Sequence, residues 1–280
     1  MIRIVTDSTC DLPQTVIDRL QITVLPLYIN VGSKAYLDGV DMSRQAFYEQ
    51  LPNFTPHPTT AAPGTAVFQQ IYTQLAAEGA TEILSIHIAK SLSATVDIAR
   101  VAAKEKTAVP VTVLDSGQLS LGMGFMVQTA AEAAMQGASM SEILSLVEEQ
   151  ASRTHVFAVI DTLTYLRRSG RMNGVVASIG SLLQIKPLLK MHQGEATSER
   201  VRTLSNAYQR LLELLESVGP VEVAALVHTH SQDRAQALQQ MAAHLLPDSN
   251  LLSVDIAPVL GVHLGPNAVG FACLTARPIN

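Results

Sequence analysis

At 280 residues the chain is long for one hydrophobic core and short for three, so two domains are expected. Apolar residues make up 48% and charged ones 15%, a composition that excludes intrinsic disorder. The net charge of −5 and the lack of a long Lys/Arg run argue against nucleic acid as a partner, because that binding draws on clustered phosphate-neutralising cations. No run of about 18 apolar residues occurs, so stable membrane insertion is not expected. Residues 1–7 have neither the cationic lead nor the long apolar region of a signal peptide. Cys10 and Cys273 are too few for a disulfide framework or a cysteine-based zinc site. A reduced, cytoplasmic globule is expected.

The apolar run 2–5 is a strand ending at Thr6-Asp7-Ser8. Asp11-Leu12-Pro13 then opens a helix, with Asp11 as N-cap and Val16, Ile17 and Leu20 as its apolar stripe. Residues 22–31 are β-prone but interrupted by Pro26, which favours an edge or bent strand. A helix over 65–75 follows through Phe68, Ile71, Tyr72 and Leu75. Next come a strand at 83–88, a helix at 93–103, a strand at 111–114 and two helices near 119–136 and 141–152. Short apolar strands alternating with helices predict a mainly parallel sheet flanked by helices.

The second half has another rhythm. Residues 156–160 are a strand, and 161–185 hold two helical pieces around Ser169-Gly170-Arg171. Segments 187–191 and 196–202 flank His192-Gln193-Gly194-Glu195 and predict a β-hairpin with glycine in its turn. A helix through Leu204, Tyr208, Leu211, Leu212 and Leu215 is stopped by Gly219-Pro220. A strand at 221–227, a helix at 231–245 and strands at 251–256 and 271–276 complete the chain. This predicts a C-terminal α+β domain with a mixed sheet, and a division into residues 1–153 and 154–280. No repeat or low-complexity linker separates the two, so close packing is expected.

Leu121-Gly122-Met123-Gly124 invites a dinucleotide-binding assignment, but Val127 stands where the third glycine belongs, so these are helix-packing glycines. Gly265-Pro266-Asn267-Ala268-Val269-Gly270 lacks the Lys-Ser/Thr of a P-loop and reads as a turn. His228 and His230 end a strand, and His263 is a candidate third metal ligand. Asp233 is the sole acid beside them, and polar capping of the next helix is the simpler assignment, so no metal is expected. Cys10 is either a nucleophile activated near a helix N-terminus or a buried loop thiol, with no base identifiable. The small hydroxyl-rich stretches Pro58-Thr59-Thr60-Ala61-Ala62-Pro63-Gly64-Thr65 and Ala89-Lys90-Ser91-Leu92-Ser93-Ala94-Thr95 are more specific. Both lead into helices, and at the carboxyl ends of strands they would offer N–H groups to a phosphate or carboxylate. The alternative is ordinary N-capping by Thr65 and Ser93.

Taken in order, several motifs resemble the DegV family of fatty-acid-binding proteins. They are Thr6-Asp7-Ser8-Thr9-Cys10-Asp11-Leu12-Pro13, the 58–64 loop, Ser91-Leu92-Ser93-Ala94-Thr95, and Asp115-Ser116 followed by Gly122-x-Gly124. Leu163-Thr164-Tyr165-Leu166-Arg167-Arg168-Ser169-Gly170-Arg171, Glu199-Arg200-Val201-Arg202-Thr203 and Pro258-Val259-Leu260-Gly261-Val262-His263-Leu264-Gly265-Pro266 follow. The resemblance implies a two-domain α/β protein holding one long-chain fatty acid between its domains. It places Thr60, Ser93 and His263 on the carboxylate and counts Ala61 and Ala94 with them as ligand-binding positions. It further implies a non-enzymatic subunit without cofactor that presents the acid to a separate fatty acid kinase, which makes acyl phosphate for phospholipid synthesis. Arg171 and Arg202 match arginines associated with that exchange. Ala61, Ala94, Val262 and Ser169 depart from the usual Ser, Gly, Thr and Gly, so the hydrogen-bond network around the head group differs from the family pattern. The alternative from another class is a hydrolase or phosphotransferase with a Ser, Cys or His centre in the same cleft.

Overall fold

The computed structural model describes residues 1–105, 107–172, 185–247 and 251–277. The first half contributes strands β1 (Ile2–Asp7), β2 (Thr23–Leu25), β3 (Tyr28–Val31), β4 (Lys34–Leu37), β5 (Thr59–Ala61), β6 (Glu82–His87) and β7 (Val111–Asp115). Four of them form a wholly parallel sheet in the order β2-β1-β6-β7. Side-chain alternation buries both of its faces. Val5 and Ile83 pack with Phe68, Tyr72, Ala99 and Ala102 from helices α3 (Thr65–Ala77) and α4 (Thr95–Lys104). Ile4, Leu84 and Ile86 face the opposite way, towards α5 (Ser120–Met135). Helices α1 (Gln14–Arg19), α2 (Arg44–Gln50) and α6 (Met140–Arg153) complete this half.

The second half holds β8 (Thr154–Val159), β9 (Lys186–His192), β10 (Glu195–Val201), β11 (Val221–His228), β12 (Leu252–Asp255) and β13 (Val269–Thr275) in the order β10-β9-β8-β13-β11-β12. The β11–β12 pairing is parallel and the others antiparallel, so this is the mixed sheet the sequence predicts. Its outer face, with Phe157, Val159, Leu226 and Phe271, is covered by α8 (Leu204–Ser217) and α9 (Gln232–Ala242). Helices α7 (Thr164–Arg168) and α10 (Pro258–Leu264) flank its inner side. The inner face, with Val156, Met191, Val227 and Ala272, joins the core around α5. Helix α5 is thus wedged between the two sheets and buried on nearly every side.

That wedge explains the Gly122/Gly124 pair. A Cβ on Gly122 would lie 2.7 Å from Val156 Cγ2, and one on Gly124 would collide with the backbone carbonyl of Cys10. Both are helix-packing glycines. Gly124→Ala is expected to destabilise the fold by about 1–3 kcal/mol through overpacking against a rigid backbone, read as a fall in Tm. An unchanged Tm would show that α5 can shift at no cost.

Several local expectations need correction. Asp11 does not cap α1, whose N-cap is Pro13 without a side-chain bond. Asp11 instead has φ 54° and is buried. Its carboxylate accepts from Ser120 Oγ (2.6 Å) and Ala257 N (2.8 Å) and pairs with Arg44 Nη1 (3.2 Å). Pro26 divides the 22–31 run between two sheets, because β3 leaves the parallel sheet and joins β4 and β5 in a small antiparallel one. Thr60 therefore sits on a short strand of that small sheet, not in a loop at the carboxyl end of a parallel strand. Gly64 and Ala94, not Thr65 and Ser93, are the N-caps of α3 and α4. One of the two helical pieces expected in 161–185 is α7; the other falls on 173–184, outside the described residues.

Candidate ligand-binding site

A cavity enclosing about 980 Å³ of atom-free space, its open mouth included, lies between the two halves. Leu27, Ile88 and Leu92 line it from the first half, and Val156, Met191 and Leu260 from the second. An apolar lining with few polar groups suits a largely hydrophobic ligand. Thr60, Ser93, Arg171 and His263 all line it, so these four sequence-predicted positions come together. Ala61 and Ala94 are solvent-exposed and do not, and Arg202 is exposed just beyond the hairpin strand β10. Ala61 follows Thr60 on a strand, so its side chain faces the opposite way.

His263 is set by packing from both halves. Pro258 occupies the first turn of α10, a position tolerant of its missing N–H. The preceding Ala257 N donates to Asp11 of the first half. Gly261 leaves room for the Tyr48 ring, whose hydroxyl donates to Ile256 O (2.8 Å). His57 Nε2 donates to Val262 O (3.0 Å).

The His263 ring then meets Thr60 through Nε2 and Oγ1 at 3.1 Å, while its Nδ1 is buried without a hydrogen-bond partner among the described residues. Burial, with Arg171 and His57 adding to it, pushes the imidazole down to about 3, so the ring is neutral near pH 7. Either tautomer then leaves one proton uncommitted. With Nδ1 protonated, Thr60 donates to Nε2 and Nδ1–H is free; with Nε2 protonated, it donates to Thr60 and the threonine hydroxyl proton is free. Ser93 Oγ accepts from Thr95 N (3.3 Å) and lies 2.8 Å from Thr95 Oγ1, an arrangement that also frees its proton when Thr95 donates. The cluster therefore offers protons to an anionic group, and Arg171 stands on the same cavity wall.

Three further polar residues on the wall, missed by the sequence reading, are already paired. Thr9 Oγ1 donates to Asp7 (2.5 Å), Ser120 Oγ to Asp11 (2.6 Å), and Lys190 Nζ to Glu199 (2.8 Å). Thr9 lies in the Thr6–Pro13 motif, whereas no local pattern marks Ser120 or Lys190, which the fold alone turns inward.

The candidate reactive groups lie elsewhere. Cys10 is buried and pushed up to about 12 by desolvation, so it is a thiol and a poor nucleophile. Asp7, His87 and Ser85 hydrogen-bond in the order of a hydrolytic triad (3.0 and 2.7 Å), with Tyr72 donating to Ser85. All four side chains are buried and Ser85 does not line the cavity, so this chain of bonds ties strands to a helix. His228 accepts from Ser231 N through Nδ1 and bonds Gln232 Oε1 through Nε2, the capping role rather than a shared site with His263. It lines a separate polar cleft with His230 and Asp255. Among the described residues no group of His, Cys, Asp and Glu converges as a metal site, and no helix is long and apolar enough to cross a membrane.

Two sheets flanking an apolar cavity, with Thr60, Ser93 and a buried neutral histidine on its wall, define a two-sheet α/β fold with a candidate ligand site. A family model described as "Uncharacterised protein, DegV family" matches residues 1–276. The chain belongs to the DegV family. A DegV domain-containing protein of Streptomyces coelicolor is 37% identical over 274 residues, 96% of each chain. Among solved structures, a DegV family protein from Thermus thermophilus, described by its fatty acid binding, is 32% identical with a TM-score of 0.88, covering 98% of this chain and 99% of that one. DegV of Bacillus subtilis, described as a fatty acid binding protein, is 28% identical with a TM-score of 0.88 over 98% and 99%.

Proposed function

We propose that this chain binds one long-chain fatty acid in the cavity between residues 1–153 and 154–280, with the carboxylate on Thr60, Ser93 and His263. The observation that carries this is the neutral, buried His263, whose pair with Thr60 has one proton to give at the end of an apolar cavity. A desolvated carboxylate needs such donors. The fatty acid binding described for relatives from Thermus thermophilus and Bacillus subtilis supports the same ligand class. Burying a chain of about 16 carbons gains roughly 0.8 kcal/mol per CH₂, on the order of 12 kcal/mol gross. Association costs of about 4–15 kcal/mol oppose it, so binding is tight and reversible.

In this reading the protein is a cytoplasmic, cofactor-free carrier and not itself an enzyme. It presents the acid to a separate fatty acid kinase for acyl phosphate formation, with Arg171 and Arg202 facing that partner. Ala61 and Ala94 border the donor residues without touching the ligand.

Organic extraction and mass spectrometry of protein purified without delipidation tests the ligand. Because affinity from a buried chain is expressed in slow release, about one acyl chain per protein molecule is expected, and less than about a tenth would contradict it.

A further inference from the structure

Among the described contacts between the halves, two seams beside the cavity are built differently. One is largely buried and made of charge-assisted hydrogen bonds, from an ion pair of the first half to the backbone of the second. Asp11 accepts from Ala257 N and pairs with Arg44, which also donates to the backbone carbonyl of Asp255. The other is the tip of the β9–β10 hairpin, where Gln193 and Gly194 turn with φ of 46° and 82°. Gly194 N donates to Gly117 O (3.0 Å), and Ser91 Oγ donates to Gly194 O (2.8 Å). Asp115 Oδ1 joins the two receiving loops by accepting from Lys90 N (3.2 Å) and Gly117 N (3.0 Å). The backbones touch closely enough that a Cβ on Gly117 would lie 3.0 Å from Gly194 N.

Both sides of this second seam carry cavity wall. Leu189, Met191 and Ala196 come from the hairpin, and Leu92 and Ser93 directly follow Ser91. Among the described strands the hairpin lies at the edge of the sheet, where β10 pairs with β9. Parting the tip from Ser91 and Gly117 would open the wall beside Ser93, while the charge-assisted bonds of Asp11 and Arg44 to Ala257 and Asp255 hold the halves together as a hinge. Neutral, partly exposed hydrogen bonds are individually weak, so this side yields first. We propose that Ser91, Gly117 and Gly194 form a clasp that sets the rate at which the acyl ligand enters and leaves the cavity. The proposal rests on the reading of the cavity as a fatty acid site.

Ser91, Gly117 and Gly194 are not among the cavity-lining residues, so loosening them changes both rates together and leaves affinity in place. A contact residue would change release alone. Stopped-flow mixing of the delipidated full-length protein with the fluorescent polyene cis-parinaric acid measures both rates. In Ser91→Ala, an exposed and conservative change, entry and exit should each rise about five-fold, the equivalent of one neutral hydrogen bond. Gly117→Ala, which pushes Gly194 away, should act in the same direction. Unchanged rates in Ser91→Ala, or faster exit with unchanged entry, would overturn the clasp while leaving the fatty acid site standing. Failure of the wild-type protein to take up the probe would remove both.

Discussion

His263→Ala is expected to weaken fatty acid binding by about ten- to a hundred-fold, the worth of a hydrogen bond to a charged group. The imidazole is neutral, buried and, among the described residues, one partner short, so a ligand carboxylate can supply the bond its Nδ1 lacks there. Ser93→Ala and Thr60→Val should fall in the same range, and their combination with His263→Ala should be less than additive, because all three share one carboxylate. Ser91→Ala is the contrasting variant. Its hydroxyl is committed to Gly194 O, so equilibrium affinity should stay within about two-fold of wild type while exchange quickens. Titration calorimetry on delipidated protein gives all of these values. Equal affinities for Ser93→Ala and wild type would remove Ser93 from the head-group site.

The second large effect concerns the arginines. Arg171 lines the cavity and acts electrostatically on His263, whereas Arg202 stands in solvent beyond β10. A phosphoryl group transferred to a bound carboxylate develops negative charge, and guanidinium groups stabilise it with bidentate geometry. Arg171→Ala and Arg202→Ala should therefore keep ligand occupancy while lowering acyl phosphate formation, with a cognate kinase and ATP, by about a hundred-fold each. Occupancy and phosphorylation measured on the same preparations separate the cases. Unchanged phosphorylation in both variants would end the partner-facing role; lost occupancy would mean that the arginines hold the acid or the fold.

Much of the architecture was legible in the sequence because it is written in periodicity. The alternation of short apolar runs with helical stripes predicted the parallel sheet, and Gly194 between two β-prone segments predicted the hairpin. What escaped depends on contacts distant in sequence. Asp11 looks like an N-cap beside Pro13, yet its carboxylate reaches Ser120 and Ala257 across the fold. Helix α2 and helix α10 carry no strong amphipathic signal, and α10 is held by the notch at Gly261 against Tyr48. Thr60 and Ser93 stood out as hydroxyls in small-residue stretches leading into helices. His263 joins them through the family resemblance; in the structure it is buried and bonds Thr60, a pairing that no local pattern foretells. Ser91 was legible as a hydroxyl but not as a link to Gly194, since no local pattern foretells a bond across 103 positions.

A crystal structure of the protein loaded with a saturated 16-carbon acid would locate the carboxylate. Continuous density for the chain is expected between the two sheets, with carboxylate oxygens within hydrogen-bond distance of Thr60 Oγ1, Ser93 Oγ and a nitrogen of His263. A carboxylate at the opposite end of the cavity, or density for the acid outside it, would overturn the fatty acid site at these three residues.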